Sequence, residues 1–144
     1  MIILDTNVIS EPMKPHAHPT VVAWLDRQEP ESLYLTATTL SEILFGIAVL
    51  PDGKRKRTLS DAMQKMLSAL FADRFLAFDR NAANAYASLM SRSMAAGSSV
   101  SIADGQIAAI AAVHGYTVAT RDTGPFVACS IPVTNPWESS PSES

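Results

Sequence analysis

The chain has 144 residues and a formal net charge of −3, with 47% hydrophobic and 17% charged residues. This size and composition are typical of one globular domain and exclude an intrinsically disordered chain. No apolar run reaches the roughly 18 residues that span a bilayer, so we expect no membrane partner. The lone cysteine, Cys129, excludes an internal disulfide bond. Together these features predict a cytoplasmic protein.

The apolar residues 1–4 open the chain and predict a short buried strand. They run directly into Asp5, which is unlike a secretory signal peptide. Pro12 limits the short helical stretch that follows, and Pro19 starts a helix that is predicted to reach Gln28.

Strands and helices then alternate to the end of the chain. Further strands are predicted over residues 33–36, 75–78, 117–120 and 131–133. Further helices are predicted around Leu40, Ile43, Leu44 and Ile47, over residues 54–70, along a face formed by Ala83, Tyr86, Met90 and Met94, and around Ala103, Ile107, Ile110 and Ala111. The polar residues 138–144 predict a disordered tail, so the domain is expected to cover residues 1–137. The alternation predicts an α/β fold with a parallel sheet covered by helices, and it leaves the order of the strands open.

Four acidic residues are predicted to lie at one edge of this sheet. Asp5 closes the first strand and Asp122 follows the strand 117–120, whereas Glu42 and Asp104 fall in the first turns of predicted helices. In open α/β sheets, ligands bind beyond the carboxyl ends of the strands, where the following helices begin. All four carboxylates can therefore converge on one edge.

Each of these acids also has an ordinary structural explanation. Thr39 to Glu42 and Ser101 to Asp104 both fit the pattern of a capping box at a helix start, and Asp5 and Asp122 can each cap a following helix. Capping explains each acid alone but not the presence of four at one edge. The two roles are also compatible, because a cap position fixes the direction of a carboxylate.

Carboxylates that share one pocket repel each other strongly. Two unit charges 4 Å apart interact by about 4 kcal/mol at an effective dielectric constant near 20. A group of oxygen ligands without histidine or cysteine suits Mg²⁺ or Mn²⁺, and such an ion can activate water and neutralise a phosphodiester. This chemistry reconciles an acidic chain with a nucleic-acid substrate, since proteins that only hold nucleic acid are usually basic.

The ordered set of motifs resembles the PIN-domain family and, within it, the VapC/FitB-type toxins of toxin–antitoxin systems. The resemblance covers residues 1–137. Its motifs are Leu4-Asp5-Thr6-Asn7-Val8-Ile9-Ser10-Glu11-Pro12, Glu42 in a helix after a strand, Ala103-Asp104-Gly105-Gln106-Ile107-Ala108-Ala109, Val118-Ala119-Thr120-Arg121-Asp122-Thr123-Gly124 and Asn135-Pro136-Trp137.

The resemblance implies a three-layer α/β/α sandwich with a central parallel sheet and an acidic pocket that binds Mg²⁺ or Mn²⁺ and cuts RNA. By position, the catalytic and metal-binding residues would be Asp5, Glu42, Asp104 and Asp122, with Asp5 and Asp104 as the principal ligands. Thr6 and Thr120 would orient the carboxylates through hydrogen bonds. The implied partners are an RNA substrate, a second copy of the chain in a homodimer, and a cognate antitoxin. The toxin is expected to bind operator DNA only as part of its complex with the antitoxin.

Two other functions compete with a ribonuclease. One is a PIN-like scaffold that has lost catalysis. The presence of all four acids argues against this function. The other is a phosphotransferase that uses Asp5. Phosphatases of that kind carry a second aspartate where this chain has Asn7, and receiver domains use a late-strand lysine where it has Arg121.

Three weaker signals remain open. The run of basic residues 54–57 is either a solvated helix start or a surface that steers RNA toward the pocket. Arg121 either holds the carboxylate of Asp122 or contacts the RNA backbone. Trp24 and Trp137 are expected in the core or an interface rather than stacked on bases.

Overall fold

The computed structural model of the chain describes residues 1–138, in which five strands form one sheet in the order β3-β2-β1-β4-β5. Every neighbouring pair of strands is parallel, and the first strand of the sequence lies at the centre. The strands are β1 (Ile2–Leu4), β2 (Leu33–Thr36), β3 (Phe75–Leu76), β4 (Thr117–Ala119) and β5 (Val133–Thr134).

Helices connect the strands and cover both faces of the sheet. They are α1 (Thr6–Ser10), α2 (Pro19–Asp26), α3 (Ala37–Ala48), α4 (Lys54–Phe71), α5 (Arg80–Ala95), α6 (Ile102–His114) and α7 (Gly124–Ala128). Short 3₁₀ turns at Glu11–Met13 and Pro30–Ser32 precede α2 and β2 respectively. No helix within residues 1–138 is long and apolar enough to cross a membrane.

The core consists of two clusters, one on each face of the sheet. Successive residues of a strand point to opposite faces, so Leu4 belongs to the cluster with α1 to α4, while Ile3 belongs to the cluster with α5 to α7. The prediction of a three-layer α/β/α sandwich with a central parallel sheet is thereby confirmed.

The largest difference from the predicted elements concerns the buried face of α5. The buried residues are Ala82, Leu89 and Ser93, whereas Ala83 and Met94 are exposed. Counting apolar residues alone missed Ser93, whose hydroxyl is satisfied inside the protein by the carbonyl of Ala128, 3.4 Å away.

The other differences are small. The strand β3 is shorter than predicted, the edge strand begins at Val133 instead of residue 131, and α7 was not predicted. Apart from Glu138, the tail predicted to be disordered lies outside the described residues.

The helices α5 and α6 pack closely at Gly105, the residue after Asp104. A Cβ atom at this position would lie 2.6 Å from the sulfur of Met90 and 2.9 Å from a ring carbon of Tyr86. Glycine at 105 therefore allows the contact that seats the first turn of α6, and with it Asp104, against α5.

Candidate active site

Asp5 lies where β1 ends and α1 begins, and both of its carboxylate oxygens are held. Its Oδ1 accepts a hydrogen bond from the backbone N–H of Thr6 at 2.8 Å, so Asp5 caps α1 as predicted. Its Oδ2 accepts a hydrogen bond from the hydroxyl of Thr120 at 2.9 Å. The side chain is buried, with 8% of its surface exposed. The direction of this carboxylate is therefore fixed before any ligand binds.

Thr120 joins the loop after β4 to the loop after β1. Its buried hydroxyl donates to Asp5 and accepts hydrogen bonds from the backbone N–H of Asp122 at 3.1 Å and from Asn7 Nδ2 at 3.5 Å. One donor and two acceptor positions are all that a hydroxyl offers, so Thr120 is fully used. Thr120 therefore holds one oxygen of Asp5, and its role in orienting a metal ligand stays a prediction.

Sequence reasoning missed the contribution of Asn7. Its Oδ1 accepts a hydrogen bond from the backbone N–H of Arg121 at 3.3 Å, while its Nδ2 approaches Thr120. Asn7 thus makes a second connection between the two loops. The signal was present in the motif Asp5-Thr6-Asn7, where only the first two residues received a role.

Glu42 reaches the site from the second turn of α3. The capping box predicted from Thr39 to Glu42 is wrong, because the buried hydroxyl of Thr36 accepts from the N–H of Thr39 and starts the helix one turn earlier. The hydroxyl of Thr6 donates a long hydrogen bond of 3.4 Å to Glu42 Oε1. Thr6 therefore contacts Glu42, while its backbone N–H contacts Asp5.

Asp104 and Asp122 complete the group from two further elements. Asp104 lies in the first turn of α6, where its N–H donates to the hydroxyl of Ser101 at 3.1 Å, so the predicted cap at Ser101 is confirmed. Asp122 does not cap α7, because that helix begins after Thr123. The side chain of Asp122 is exposed and lies on the loop that Thr120 anchors.

The charges of neighbouring acids affect the ionisation of Asp5 and Glu42. Burial is the main cause that raises the pKa of Asp5 above its ordinary value; the hydrogen bonds from Thr6 and Thr120 oppose it, and the charges of Asp104 and Asp122 raise it further. The pKa of Glu42 is also raised, first by burial and then by the charge of Asp5, with a smaller contribution from Asp104. The structure therefore brings the predicted residues together around Asp5.

The set of donor atoms suits a hard divalent cation. The candidate ligands offer only carboxylate oxygens, and no lysine or arginine among residues 1–138 lies within salt-bridge distance of any of them. Oxygen ligands with unbalanced negative charge favour Mg²⁺ or Mn²⁺. In this conformation no three acidic, histidine or cysteine side chains within residues 1–138 form a complete ligand set. Mg²⁺ usually keeps several waters and is bound by one or two carboxylates together with substrate phosphates, so three protein ligands are not required.

Comparison with known proteins identifies the family. The PIN domain family matches residues 2–128, a segment that contains all four acids. The chain belongs to the PIN-domain family. It is 52% identical over 140 residues to the plasmid stability protein StbB of Pseudomonas syringae pv. tomato, which covers 96% of this chain and 99% of that protein.

Two further relatives link this PIN domain to toxins and ribonucleases. It is 47% identical over 137 residues to the toxin FitB of Neisseria gonorrhoeae (95% of this chain, 99% of FitB). It is 46% identical over 138 residues to the VapC ribonuclease Y4jK of Sinorhizobium fredii (96% and 99%). A solved structure of FitAB bound to an IR36 DNA fragment matches the structure of this chain with a TM-score of 0.92. The match covers 97% of this chain and 98% of that chain. The resemblance to VapC/FitB-type toxins is confirmed.

The raised pKa of Asp5 predicts a pH dependence of the stability of the PIN domain. Between the ordinary pKa of Asp5, 3.8, and its higher value in the folded protein, the folded chain binds more protons than the unfolded chain. The free energy of unfolding therefore falls as the pH rises through this window and then stays at the lower level.

We expect Asp5→Asn to remove this loss of stability. Urea unfolding of both proteins from about pH 4 to pH 7 should show the wild type losing stability relative to the variant as the pH rises. Asparagine keeps an acceptor for Thr6 N–H but loses the one for the Thr120 hydroxyl. That loss is the same at every pH, so the pH dependence of the difference reports the charge. Two curves that run parallel over this range would contradict the prediction.

An apolar groove opens beside Glu42, between α1 and the pair α3 and α4. Its volume is about 370 Å³, and Thr6 and Glu42 are among the residues that line it. Apolar side chains line most of the rest, among them Ile43, Ile47 and Met63. The groove therefore gives the PIN domain an apolar surface continuous with its carboxylates.

The basic run at the start of α4 is divided between two environments. Lys56 donates to the carbonyl of Ala48 at 3.0 Å, which stabilises the end of α3. Lys54, Arg55 and Arg57 are exposed. A role of these three residues in steering RNA stays a prediction.

Arg121 does not hold Asp122. Its guanidinium carbon lies 5.2 Å from the ring centroid of Trp137, and no carboxylate among residues 1–138 is within salt-bridge distance of it. Trp137 is partly buried against the first core cluster, and Trp24 lies within that cluster, so both were correctly expected to pack. Cys129 is buried.

Proposed function

We propose that this PIN domain, over residues 1–137, is a cytoplasmic endoribonuclease that depends on Mg²⁺ or Mn²⁺ and is the toxin of a type II toxin–antitoxin pair. The observation that carries the proposal is the clamped carboxylate of Asp5, whose pKa is raised in part by Asp104 and Asp122. The sequence similarity of the chain to the toxin FitB and to a VapC ribonuclease supports the same conclusion.

In this proposal each residue of the acidic group has a defined task. Asp5 and Asp104 are the principal metal ligands, and Glu42 and Asp122 complete the site or hold its waters. A bound Mg²⁺ or Mn²⁺ would lower the pKa of a water molecule and neutralise charge on the phosphodiester.

The protein supplies a carboxylate arrangement that needs little reorganisation. Thr120 and the N–H of Thr6 hold the two oxygens of Asp5, and Thr120 also anchors the backbone of Asp122. A site whose charged groups are already oriented avoids the cost of ordering them during the reaction.

The proposed protein partners are a cognate antitoxin and a second copy of the chain. The solved FitAB complex is bound to DNA, and by analogy this toxin would meet operator DNA only through its antitoxin. The apolar groove beside Glu42 suits an antitoxin segment, because a chain bound there would contact Glu42 of the acidic group and Thr6 next to it. The homodimer rests on the family resemblance.

The decisive test is RNA cleavage by the purified, antitoxin-free protein. End-labelled structured RNAs are incubated with Mg²⁺, Mn²⁺ or EDTA, and Asp104→Asn is purified and tested in parallel. We expect discrete cuts that require metal and are absent with the variant. Cuts that persist with Asp104→Asn would reveal a contaminant or a different site. No cut with any metal would favour the scaffold function.

A further inference from the structure

Arg121 is the basic residue next in sequence to the acidic group, yet it pairs with none of its carboxylates. Its guanidinium lies over Trp137 instead, and no carboxylate among residues 1–138 is within 4.0 Å of it. None of the four acids therefore forms an ion pair with Arg121. An arginine that stacks on an aromatic ring keeps the N–H groups at its edge available for another ligand.

Both ends of this arginine are held in place. Its backbone N–H donates to Asn7 Oδ1 at 3.3 Å, and the preceding residue, Thr120, is the buried anchor of Asp5. At the other end, the N–H of Trp137 donates to Asn135 Oδ1 at 3.0 Å, and its ring packs on the first core cluster. The position of the guanidinium relative to Asp5 and Asp122 is thus set by the fold and by the stacked ring.

The electrostatics of the site call for a cation at such a position. The chain carries a net charge of −3 and gathers four acids at this edge, so the phosphates that flank a cleavage site would be repelled. A metal ion would compensate for this repulsion at the scissile phosphate alone. A guanidinium offers five N–H donors in a planar arrangement that matches the oxygens of a phosphate.

We propose that Arg121, held in place by Trp137, binds a backbone phosphate of the RNA adjacent to the one that is cut. This inference rests on the proposed ribonuclease function. Arg121 is then a substrate-binding residue, and Trp137 is a positioning residue that acts through it. The ring face of Trp137 that carries the guanidinium is not available for stacking on a base.

RNA binding measured without cleavage tests this assignment. A short fluorescently labelled single-stranded RNA is titrated with protein in EDTA, and the dissociation constant is determined by anisotropy at several salt concentrations. For Arg121→Gln we expect binding about tenfold weaker, and a plot of log affinity against log salt that is shallower by about 0.7. The matched control is Arg92→Gln, which removes an arginine that lies beside Gly115, Tyr116 and Pro132, where β4 and β5 begin; it should leave affinity and slope almost unchanged.

Variants of Trp137 distinguish positioning from direct contact. We expect Trp137→Leu to weaken binding while leaving the salt slope unchanged, because the charge of Arg121 is still present. Trp137→Phe should bind RNA nearly as well as the wild type. The double variant with Arg121→Gln and Trp137→Leu should bind no more weakly than Arg121→Gln alone, since the two residues act as a unit.

Several outcomes would overturn the assignment. These are absence of RNA binding in EDTA, wild-type affinity and slope in Arg121→Gln, or effects of the two variants that add in the double variant. The last result would mean that Trp137 contacts RNA on its own. A chain that cuts RNA but shows any of these results retains the ribonuclease function and loses this inference. If the chain never cuts RNA but shows the expected Arg121 effects, the proposed ribonuclease function is wrong and the proposal that Arg121 binds phosphate is supported.

Discussion

Replacing Asp5 with asparagine is expected to lower the rate of metal-dependent RNA cleavage by more than about 100-fold, because the loss of a metal ligand exceeds the 10–100-fold effect of groups that only support one. The amide of asparagine has one oxygen, which can still accept from the N–H of Thr6, but it carries no charge to hold a cation. The measurement is the cleavage rate at saturating Mn²⁺ with a defined RNA.

Thr120→Val is the graded control for this prediction. Valine matches the shape of threonine but cannot donate to Asp5 Oδ2 or accept from the N–H of Asp122. The cleavage rate of Thr120→Val should fall by about 10–100-fold relative to the wild type. A high metal concentration should recover part of this loss. If Asp5→Asn were no worse than Thr120→Val, Asp5 would not be a principal ligand.

The largest expected effect on stability is at Phe126. This ring is fully buried in the cluster that α5, α6 and α7 form over the sheet. Phe126→Ala should lower the free energy of unfolding by about 3–5 kcal/mol, through lost burial and the cavity it leaves. That is a large fraction of the roughly 5–15 kcal/mol by which typical domains are stable.

The neighbouring residue in the same helix provides a matched control. Val127 is 60% exposed, so Val127→Ala should change the free energy of unfolding by less than about 0.5 kcal/mol. Both values come from urea denaturation followed by circular dichroism. A loss at Phe126 as small as that at Val127 would mean that α7 is not needed to close the second cluster.

Much of the fold was predictable from local patterns, and the misses have physical causes. The alternation of apolar strands and amphipathic helices requires a covered parallel sheet, and Leu33–Thr36 was located without error. The order of the strands was not predictable, because backbone hydrogen bonds join parallel strands and the side chains of a strand do not identify its neighbour. The helix α7 is too short, at five residues, for its apolar spacing to show a period.

The gathering of the acidic residues at one edge of the sheet was predictable, whereas the hydrogen bonds that connect their loops were not. Asp5, Asp104 and Asp122 lie at the strand ends and the helix start where the sequence placed them. Glu42 lies in the second turn of α3, one turn later than predicted. The start of α3 was misplaced because Thr36 and Thr39 are both good caps and both are buried. In the fold the hydroxyl of Thr36 accepts from the N–H of Thr39, so the helix begins after Thr36. The contacts of Asn7 with residues 120 and 121, and of Arg121 with Trp137, join segments that only the tertiary fold brings together.

The hydrogen bond from Thr120 to Asp5 joins residues 115 positions apart in the sequence. On a ribosome, Asp5 and Glu42 emerge well before Asp104, Thr120 and Asp122. A nascent chain therefore cannot assemble the acidic group, because β4 has not yet paired with β1. If the chain is a ribonuclease, the growing polypeptide therefore stays inactive until β4 has emerged and paired with β1.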